Sequence, residues 1–332
     1  MRNPIFDIMK FIAIIAMIVG HCAHDWRQGL VYTWHMPLFF MIGGYFFKPQ
    51  PMLQSIKYNF RRLLVPYIVT ALILIVVLFF KQSPQIFEYH LTSLITGSTM
   101  TEPWDIIFPI WFLFSLFMCS ITFNAISHFF KSNIWKSIIV VSITTICYIL
   151  AKMGHNNIPF TLIQSGCALI FFHIGYLFNK YDSITPKSHT AIWWIGAITF
   201  IIISYFEGGL NIAGNRYSNI IINILGAMGG TFIVMQASYY FHISFPNLSK
   251  KIAFLGSHSL LILIIHTLDA NFGFAPGLTA KLFFFIENIG PNIAEQIIFS
   301  LIVSLLLYQI PIVRRVLRLS KPQYIDIKTS KS

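Results

Sequence analysis

Charged residues are scarce in this sequence, and acidic residues are the scarcest of them. Asp, Glu, Lys and Arg make up only 10% of the 332 residues, against about 25% in an ordinary soluble domain. This shortage argues against a water-soluble fold. The chain is instead 56% hydrophobic, with repeated apolar runs long enough to cross a bilayer. The composition therefore predicts an all-α, polytopic bundle of transmembrane helices.

Cysteines are also few, and their positions argue against two further classes of protein. Cys22, Cys119, Cys147 and Cys167 lie within or at the edge of apolar runs, and no two of them form a CxxC pair. This spacing indicates neither a disulfide framework nor a zinc site. The N-terminal apolar run lacks a small-residue cleavage site, so we interpret it as a first membrane helix and not as a signal peptide.

The spacing of the apolar runs predicts about ten membrane helices. The predicted spans are 5–24, 33–48, 63–81, 105–127, 136–152, 159–178, 190–206, 217–240, 252–270 and 293–313. With both termini in the cytoplasm, most of the 23 basic residues fall on the inner side, as the positive-inside bias requires. We therefore predict one membrane domain over 1–320 and a short basic cytoplasmic tail over 321–332. The expected location is a cell membrane, such as the bacterial inner membrane.

The excess of basic residues, a formal net charge of +12, does not predict a nucleic-acid partner. Lys and Arg stand in short clusters between apolar runs and do not form one amphipathic surface. An inner face rich in cations suits anionic membrane lipids, and it equally suits a phosphate-bearing cytosolic ligand. Both interpretations stay open at the level of the sequence.

The first predicted helix carries ionisable side chains, which are costly in lipid and normally face the interior of a bundle. Lys10 and His21 are eleven positions apart, which places them on nearly the same helix face, roughly 16 Å apart along the axis. Asp7 lies within reach of Lys10, and Asp25 follows His21 by four positions, a spacing that lets a carboxylate orient an imidazole. The alternative is that Lys10 snorkels to headgroups and His21 only bonds to a neighbouring helix.

Two more predicted spans bring imidazoles to the same outer half of the bundle. His35 opens the second span, and the ninth contains His266 and Asp269. We expect these groups to gather with His21 at one depth, which argues against a scaffold whose polar residues only pack helices. Metal binding is the rival use of the imidazoles. Because no HExxH-like pair occurs, we predict no metal site and favour general-base chemistry, which needs one well-placed His.

Six motifs along the chain, taken together, carry a resemblance to a known protein family. They are Phe6-Asp7-Ile8-Met9-Lys10 leading to Gly20-His21, His35 through Phe46, Arg61-Arg62-Leu63-Leu64-Val65-Pro66-Tyr67, Trp111-Phe112-Leu113, Gly175-Tyr176, and Gly256 to Ser259-Leu260 followed by His266. Together they resemble the acyltransferase 3 family of integral membrane O-acyltransferases, and they look closest to its fucose or sugar O-acetyltransferase subgroup. The resemblance spans most of the chain.

This chain departs from the family pattern at two basic positions. The family has a basic residue, ten intervening positions and a His; here the basic residue is Lys10, where arginine is commoner. Lysine supplies charge without the bidentate fork of a guanidinium. The family also has an Arg-x-x-Arg motif in its cytoplasmic segment, whereas here Asn59 stands three positions before Arg62. Both departures concern the basic residues that would bind the acyl donor.

The resemblance implies a membrane acyltransferase that moves an acetyl group from cytoplasmic acetyl-CoA to a hydroxyl of a cell-envelope sugar or glycolipid. Acetyl-CoA is then the donor, and no cofactor stays bound. Transfer directly from the thioester and transfer through an acyl-histidine stay open as mechanisms. The alternative function is a proton-coupled transporter or flippase of an envelope precursor, because intramembrane His, Lys and Asp also suit a carrier.

The candidate site residues fall into three groups by the role expected of each. The catalytic group is His21, His35 and Asp25, the donor-binding group is Lys10, Arg61 and Arg62, and the acceptor-binding group is Glu102, Trp111 and His266. His21 is expected to accept the proton of the acceptor hydroxyl, with help from Asp25 or another outer carboxylate. His35 shares or exchanges that role with His21. The cations are expected to meet the phosphates of coenzyme A.

Overall fold

A computed structural model describes residues 2–23, 25–79, 84–97, 110–156, 158–181, 191–274 and 293–325. Nearly all of them are helical. The helices are α1 Pro4–Cys22, α2 Trp26–Tyr32, α3 His35–Tyr45, α4 Met52–Asn59, α5 Val65–Phe79, α6 Pro84–Thr96, α7 Trp111–Phe129, α8 Asn133–Lys152, α9 Leu162–Lys180, α10 Ala191–Phe206, α11 Ile220–Ser244, α12 Pro246–Ser257, α13 Ser259–Phe272, α14 Ile293–Tyr308 and α15 Pro311–Val316. A π-helical turn, Phe60–Leu64, joins α4 to α5, and a short antiparallel hairpin pairs β1 Leu210–Asn211 with β2 Arg216–Tyr217. The predicted all-α, polytopic class is confirmed.

Six helices in the described part of the chain are long and apolar enough to cross a membrane. They are Pro4–Cys22, Met52–Val76, Trp111–Phe129, Asn133–Lys152, Leu162–Lys180 and Ile220–Ser244. The bent pair α12 and α13 makes a seventh if it counts as one span, and two more apolar helices, Trp193–Phe206 and Ile293–Tyr308, are shorter. Each of the ten predicted segments contains a helix, but the second is only the eleven residues of α3.

The ninth predicted span is not the single straight helix that its apolar run suggested. α12 and α13 meet at His258 with a bend of 59°. The Nδ1 of His258 and the hydroxyl of Ser257 both donate to the carbonyl of Phe254, at 2.7 Å each. Side chains that bond to the backbone of the preceding turn compete with the helical hydrogen bonds and bend helices. The predicted span over 252–270 therefore corresponds to a bent pair of helices that are together apolar enough to count as one span.

Three helices occupy segments that the sequence analysis treated as connections. α2 follows α1 after a break at Ala23, whose backbone is extended; α4 precedes the third predicted span, and α6 precedes the fourth. The break makes the first span end at Cys22, two residues before the predicted boundary. Asp25 consequently lies outside α1, where it caps α2 by accepting the backbone N–H of Arg27 at 2.9 Å.

The two ends of the described chain lie side by side. The backbone N–H of Arg2 donates to the carbonyl of Gln323 at 2.7 Å, and the N–H of Ile325 donates to the carbonyl of Arg2 at 3.1 Å. These bonds form a parallel bridge between Arg2 and Tyr324. Termini that pair directly must lie on one face of a membrane, as the prediction of same-side termini requires.

The chain divides into two compact units. The first comprises Met1–Phe39, Thr185–Gly209 and Ile221–Ser332, and the second comprises Phe40–Ile184 and Leu210–Ile220. Glycines allow close helix packing inside each. In the first unit a Cβ on Gly256 of α12 would overlap the carbonyl of Asp7 on α1, and in the second a Cβ on Gly44 of α3 would overlap the carbonyl of Phe172 on α9. Such small residues let membrane helices approach and pack by van der Waals contact.

Candidate active site

Two imidazoles meet inside the first unit, at the end of α1. His21 stands in the last turn of α1, and its Nδ1 lies 3.3 Å from the Nε2 of His266 on α13. The ring centroids are 5.4 Å apart. His266 is only 1% exposed, whereas His21 keeps part of its surface accessible. The pair therefore has one deeply buried member and one half-buried member.

His35 joins this pair through the ring of Tyr32. The centroid of Tyr32 lies 6.5 Å from that of His21 and 5.3 Å from that of His35. The Nδ1 of His35 donates to the carbonyl of Val31 at 2.8 Å, so its Nε2 carries the lone pair when the ring is neutral. We call these four side chains, His21, Tyr32, His35 and His266, the imidazole cluster.

α2 positions the imidazole cluster, and the sequence analysis missed both this helix and Tyr32. The Nε2 of Gln28 donates to the carbonyl of Gly20 at 2.9 Å and ties α2 to α1. A Cβ on Gly20 would lie 2.7 Å from the Tyr32 ring, so only glycine leaves room for that ring against α1. The signal in the sequence was the spacing of Tyr32 three positions before His35, which places the two on one side of a helical turn.

The hydrogen bonding of the imidazole pair is incomplete. The Nδ1 of His266 is buried and has no hydrogen-bond partner among the described residues. No three His, Cys, Asp or Glu side chains within the described ranges are placed to hold a metal ion. If His21 donates from Nδ1 to His266, the Nε2 of His21 is left as a basic lone pair; the reverse arrangement would put a proton there instead. The tautomer that makes His21 a base is thus the one in which His266 accepts.

Asp25 does not orient His21, although their spacing predicted it. The expectation assumed a continuous helix, but α1 ends at Cys22. The exposed carboxylate of Asp25 instead accepts the Nε of Arg27 at 3.0 and 2.9 Å, and its other partner is the Nη2 of the same guanidinium at 2.7 Å. The hydrogen bond from Arg27 lowers the pKa of Asp25 below its usual range. This carboxylate serves a surface ion pair.

Asp269 is the carboxylate buried in this part of the first unit. It follows His266 by three positions on α13 and is 1% exposed. Next to His21, the thiol of Cys22 donates to the Oε1 of Gln296 on α14 at 3.0 Å. This hydrogen bond ties α1 to α14 beside the imidazoles.

The opposite end of α1 carries an ion network that includes Lys10. The Nζ of Lys10 lies 2.5 Å from the Oδ1 of Asp7, and the guanidinium of Arg2 lies 3.3 Å from the same atom. Asp7 is 2% exposed. Tyr324 lies next to it, and burial together with the charge of Asp7 raises the pKa of the Tyr324 phenol. Lys10, expected to bind the donor, already has a carboxylate partner.

Arg61 and Arg62 belong to the second unit and are presented differently from Lys10. Both lie in the π-helical turn Phe60–Leu64 and are exposed. Neither has an ion-pair partner among the residues that the structure describes. Asn59, which stands where the family pattern has an arginine, is buried and donates to the carbonyl of Ser55 at 2.9 Å. The π-turn, a feature often found at functional sites, thus exposes two adjacent guanidinium groups.

The predicted acceptor residues other than His266 are Trp111 and Glu102. Trp111 opens α7 in the second unit and is nearly buried, with its ring centroid 6.5 Å from that of Phe40 and 6.4 Å from that of Phe112. Glu102 lies outside the described residues. His266, by contrast, is a direct partner of His21.

The helices and the imidazole cluster define a multi-pass membrane protein with a polar site built among its helices. A family model described as an acyltransferase domain, that of the acyltransferase 3 family, matches residues 3–310. The chain belongs to this family and is a membrane acyltransferase. The comparisons with curated proteins and with solved structures found no match. The family resemblance seen in the motifs is therefore confirmed, while the sugar-acetylating subgroup stays a prediction.

Proposed function

We propose that this acyltransferase is an O-acetyltransferase that moves acetyl from cytoplasmic acetyl-CoA to a hydroxyl of a cell-envelope sugar or glycolipid. The observation that carries the proposal is the pairing of His21 with His266 at 3.3 Å in a chain whose family transfers acyl groups. Family membership also favours transfer over the alternative of a proton-coupled transporter, which would move its substrate without consuming a donor.

His21 acts as the general base in this proposal. Its Nε2 accepts the proton of the acceptor hydroxyl, the alkoxide attacks the thioester carbonyl, and coenzyme A leaves as the thiolate. His266 accepts the Nδ1–H of His21 and so holds the base in the required tautomer. A group that fixes the tautomer of a catalytic imidazole is usually a carboxylate; here a second imidazole takes that place.

His35 is the second proton-transfer group. Its donation to Val31 leaves Nε2 as an acceptor, and Tyr32 separates it from His21. An acyl-histidine mechanism needs one imidazole as nucleophile and another to take up protons, and direct transfer needs only one base. Loss of His35 should therefore lower the rate less than loss of His21 if transfer is direct, and equally if it is stepwise.

Arg61 and Arg62 are the donor-binding residues that the geometry favours. They are exposed and without ion-pair partners among the described residues, and adjacent guanidinium groups suit the phosphates of coenzyme A. Lys10 has a smaller role as a direct donor contact, because Asp7 already neutralises its charge. Glu102 and Trp111 keep their predicted roles at the acceptor.

The test uses membrane vesicles and radiolabelled acetyl-CoA, with label counted in the envelope fraction. We expect wild-type vesicles to transfer label. The double variant Arg61→Ala with Arg62→Ala should raise KM for acetyl-CoA about tenfold or more, since hydrogen bonds to charged groups contribute roughly 1.5–3 kcal/mol each. Lys57→Ala, at an exposed lysine of α4, is the matched control and should leave KM unchanged. Vesicles that move an envelope precursor but consume no acetyl-CoA would contradict the proposal.

A further inference from the structure

Lys136 is a buried cation that the acyl-transfer site does not use. It stands in the first turn of α8 in the second unit and is 5% exposed. Its Nζ donates to the hydroxyl of Tyr176 at 3.1 Å and lies 5.0 Å from the centroid of that ring. Among the described residues no carboxylate forms an ion pair with it. Its described partners are therefore the neutral hydroxyl and the ring face of Tyr176.

A chain of hydrogen bonds fixes the position of this lysine. Tyr176, which accepts from Lys136, donates to the Oδ1 of Asn133 at 3.2 Å, and the Nδ2 of Asn133 donates to Tyr181 at 3.0 Å. Behind them, the hydroxyl of Ser137 donates to the carbonyl of Asn133 at 3.0 Å and so accepts the Nε2–H of His173 at 2.8 Å. The network orders the ammonium without neutralising it.

The cost of this arrangement indicates that the site binds an anion. A buried charge is unfavourable unless it is paired and fully hydrogen-bonded. A lysine at the end of a membrane helix can normally snorkel to water, as the exposed Lys131 and Lys180 do at the neighbouring helix ends. The first turn of a helix also disfavours cations and favours anions, and α8 has no acidic residue there.

We propose that Lys136 and the first turn of α8 bind the phosphate of an anionic phospholipid headgroup. The surroundings favour a lipid over a soluble ligand. α8 presents an apolar face, since only 22% of its membrane window is buried, and the exposed ring of Trp135 stands next to Lys136. Tryptophans mark the headgroup level of a membrane. The distribution of basic residues places this end of α8 on the inner side, where anionic headgroups gather around such basic pockets.

The test compares thermal unfolding in nanodiscs of phosphatidylcholine alone with unfolding in phosphatidylcholine mixed with phosphatidylglycerol. Native mass spectrometry counts the phosphatidylglycerol retained. The mixed lipid should raise the Tm of the wild type by about 3 °C or more, a shift expected for a ligand present well above its Kd. Lys136→Met should lose both this shift and the retained lipid. In phosphatidylcholine alone the same variant should be at least as stable as wild type, because it removes a buried charge that has no carboxylate partner among the described residues.

Two variants and two soluble ligands make the outcome decisive. Lys131→Met, the matched exposed lysine, should respond to lipid like wild type; an equal loss there would mean general surface charge and overturn the proposal. Lys136→Arg should recover the lipid response, which keeps the test valid if Lys136→Met fails to fold. Inorganic phosphate and acetyl-CoA should give no shift that depends on Lys136. A shift with either one would assign the site to a soluble phosphate ligand instead of a lipid.

Discussion

The two ends of α1 carry opposite kinds of polar chemistry. At the Lys10 end, two cations share the buried carboxylate of Asp7, and the chain end around Tyr324 covers it. At the His21 end the groups are imidazoles and a phenol, and the Nδ1 of His266 has no hydrogen-bond partner among the described residues. One end is an ion network of two cations around one carboxylate, whose Oδ2 likewise has no hydrogen-bond partner among the described residues. The other end is a cluster of three imidazoles and a phenol.

We infer from this difference that the Lys10 end of α1 serves stability and the His21 end serves catalysis. Charges that pair with one another mainly hold elements together, whereas a proton acceptor must have a free lone pair. Substitutions at the His21 end should therefore lower activity and leave stability nearly unchanged. Substitutions at the Lys10 end should do the reverse, and the four predictions that follow test this division.

The largest effect is expected for His21→Gln. Removing a general base typically lowers the rate about 10²- to 10⁴-fold, and glutamine keeps some of the hydrogen bonding that the ring makes to His266. Acetyl transfer from labelled acetyl-CoA is the measurement, with the Tm measured on the same samples. His155→Gln, at an exposed histidine, is the control and should retain full activity. Full transfer by His21→Gln would remove the proposed base.

The next effect is a loss of roughly 10- to 100-fold for His266→Leu, the scale typical of residues that orient a functional imidazole. Glutamine at the same position offers an amide oxygen to the Nδ1–H of His21, so His266→Gln should recover part of the activity. The pH dependence of the rate should change in His266→Leu. An unchanged pH profile together with a fall in Tm would indicate that His266 only packs.

At the other end of α1, Asp7→Asn should destabilise the protein by about 2 kcal/mol, because it leaves Lys10 and Arg2 without their shared carboxylate. The measurement is the thermal unfolding midpoint. Asp25→Asn changes an exposed carboxylate paired only with Arg27 and is the matched control, for which we expect no measurable shift. Equal shifts in the unfolding midpoint of the two variants would mean that the buried network stabilises the protein no more than an exposed ion pair does.

An effect of similar size concerns the packing of α12 on α1. Gly256→Ala places a methyl group against the backbone of Asp7 and should cost about 1–3 kcal/mol through overpacking. Gly196→Ala, at a glycine of α10 with open space around it, should instead gain roughly 0.5–1 kcal/mol from helix propensity. Unfolding midpoints of the two variants that move in the same direction would contradict the packing described here.

The ionisable residues of α1 and their imidazole partners could be predicted from the sequence, because ionisable residues in an apolar run are easy to recognise. Lys10 and His21 stand out at once, and lipid gives them strong reason to face other helices. That reasoning predicted that His35, His266 and Asp269 would gather with His21 at one depth. It could not predict which group would pair with His21, since the choice depends on how α13 packs against α1.

Other features could not be predicted from the sequence, because they depend on local helix breaks and tertiary contacts. No glycine or proline marks the end of α1 at Cys22, so the helical spacing assumed between His21 and Asp25 does not apply. The bend at His258 comes from side-chain bonds to the preceding turn, which leave no trace in hydropathy. Lys136 was interpreted as a topological cation, and only the fold shows that it is buried beside Tyr176.

The central claim, that His21 and His266 act as one catalytic unit, is tested most directly by a double-mutant cycle of acetyl-transfer rates. The four proteins are wild type, His21→Gln, His266→Leu and the double variant. Residues that act as a unit give strongly non-additive losses, so we predict that the double variant is no slower than His21→Gln alone. Losses that multiply would show that the two imidazoles contribute independently, and would contradict the role assigned to their 3.3 Å contact.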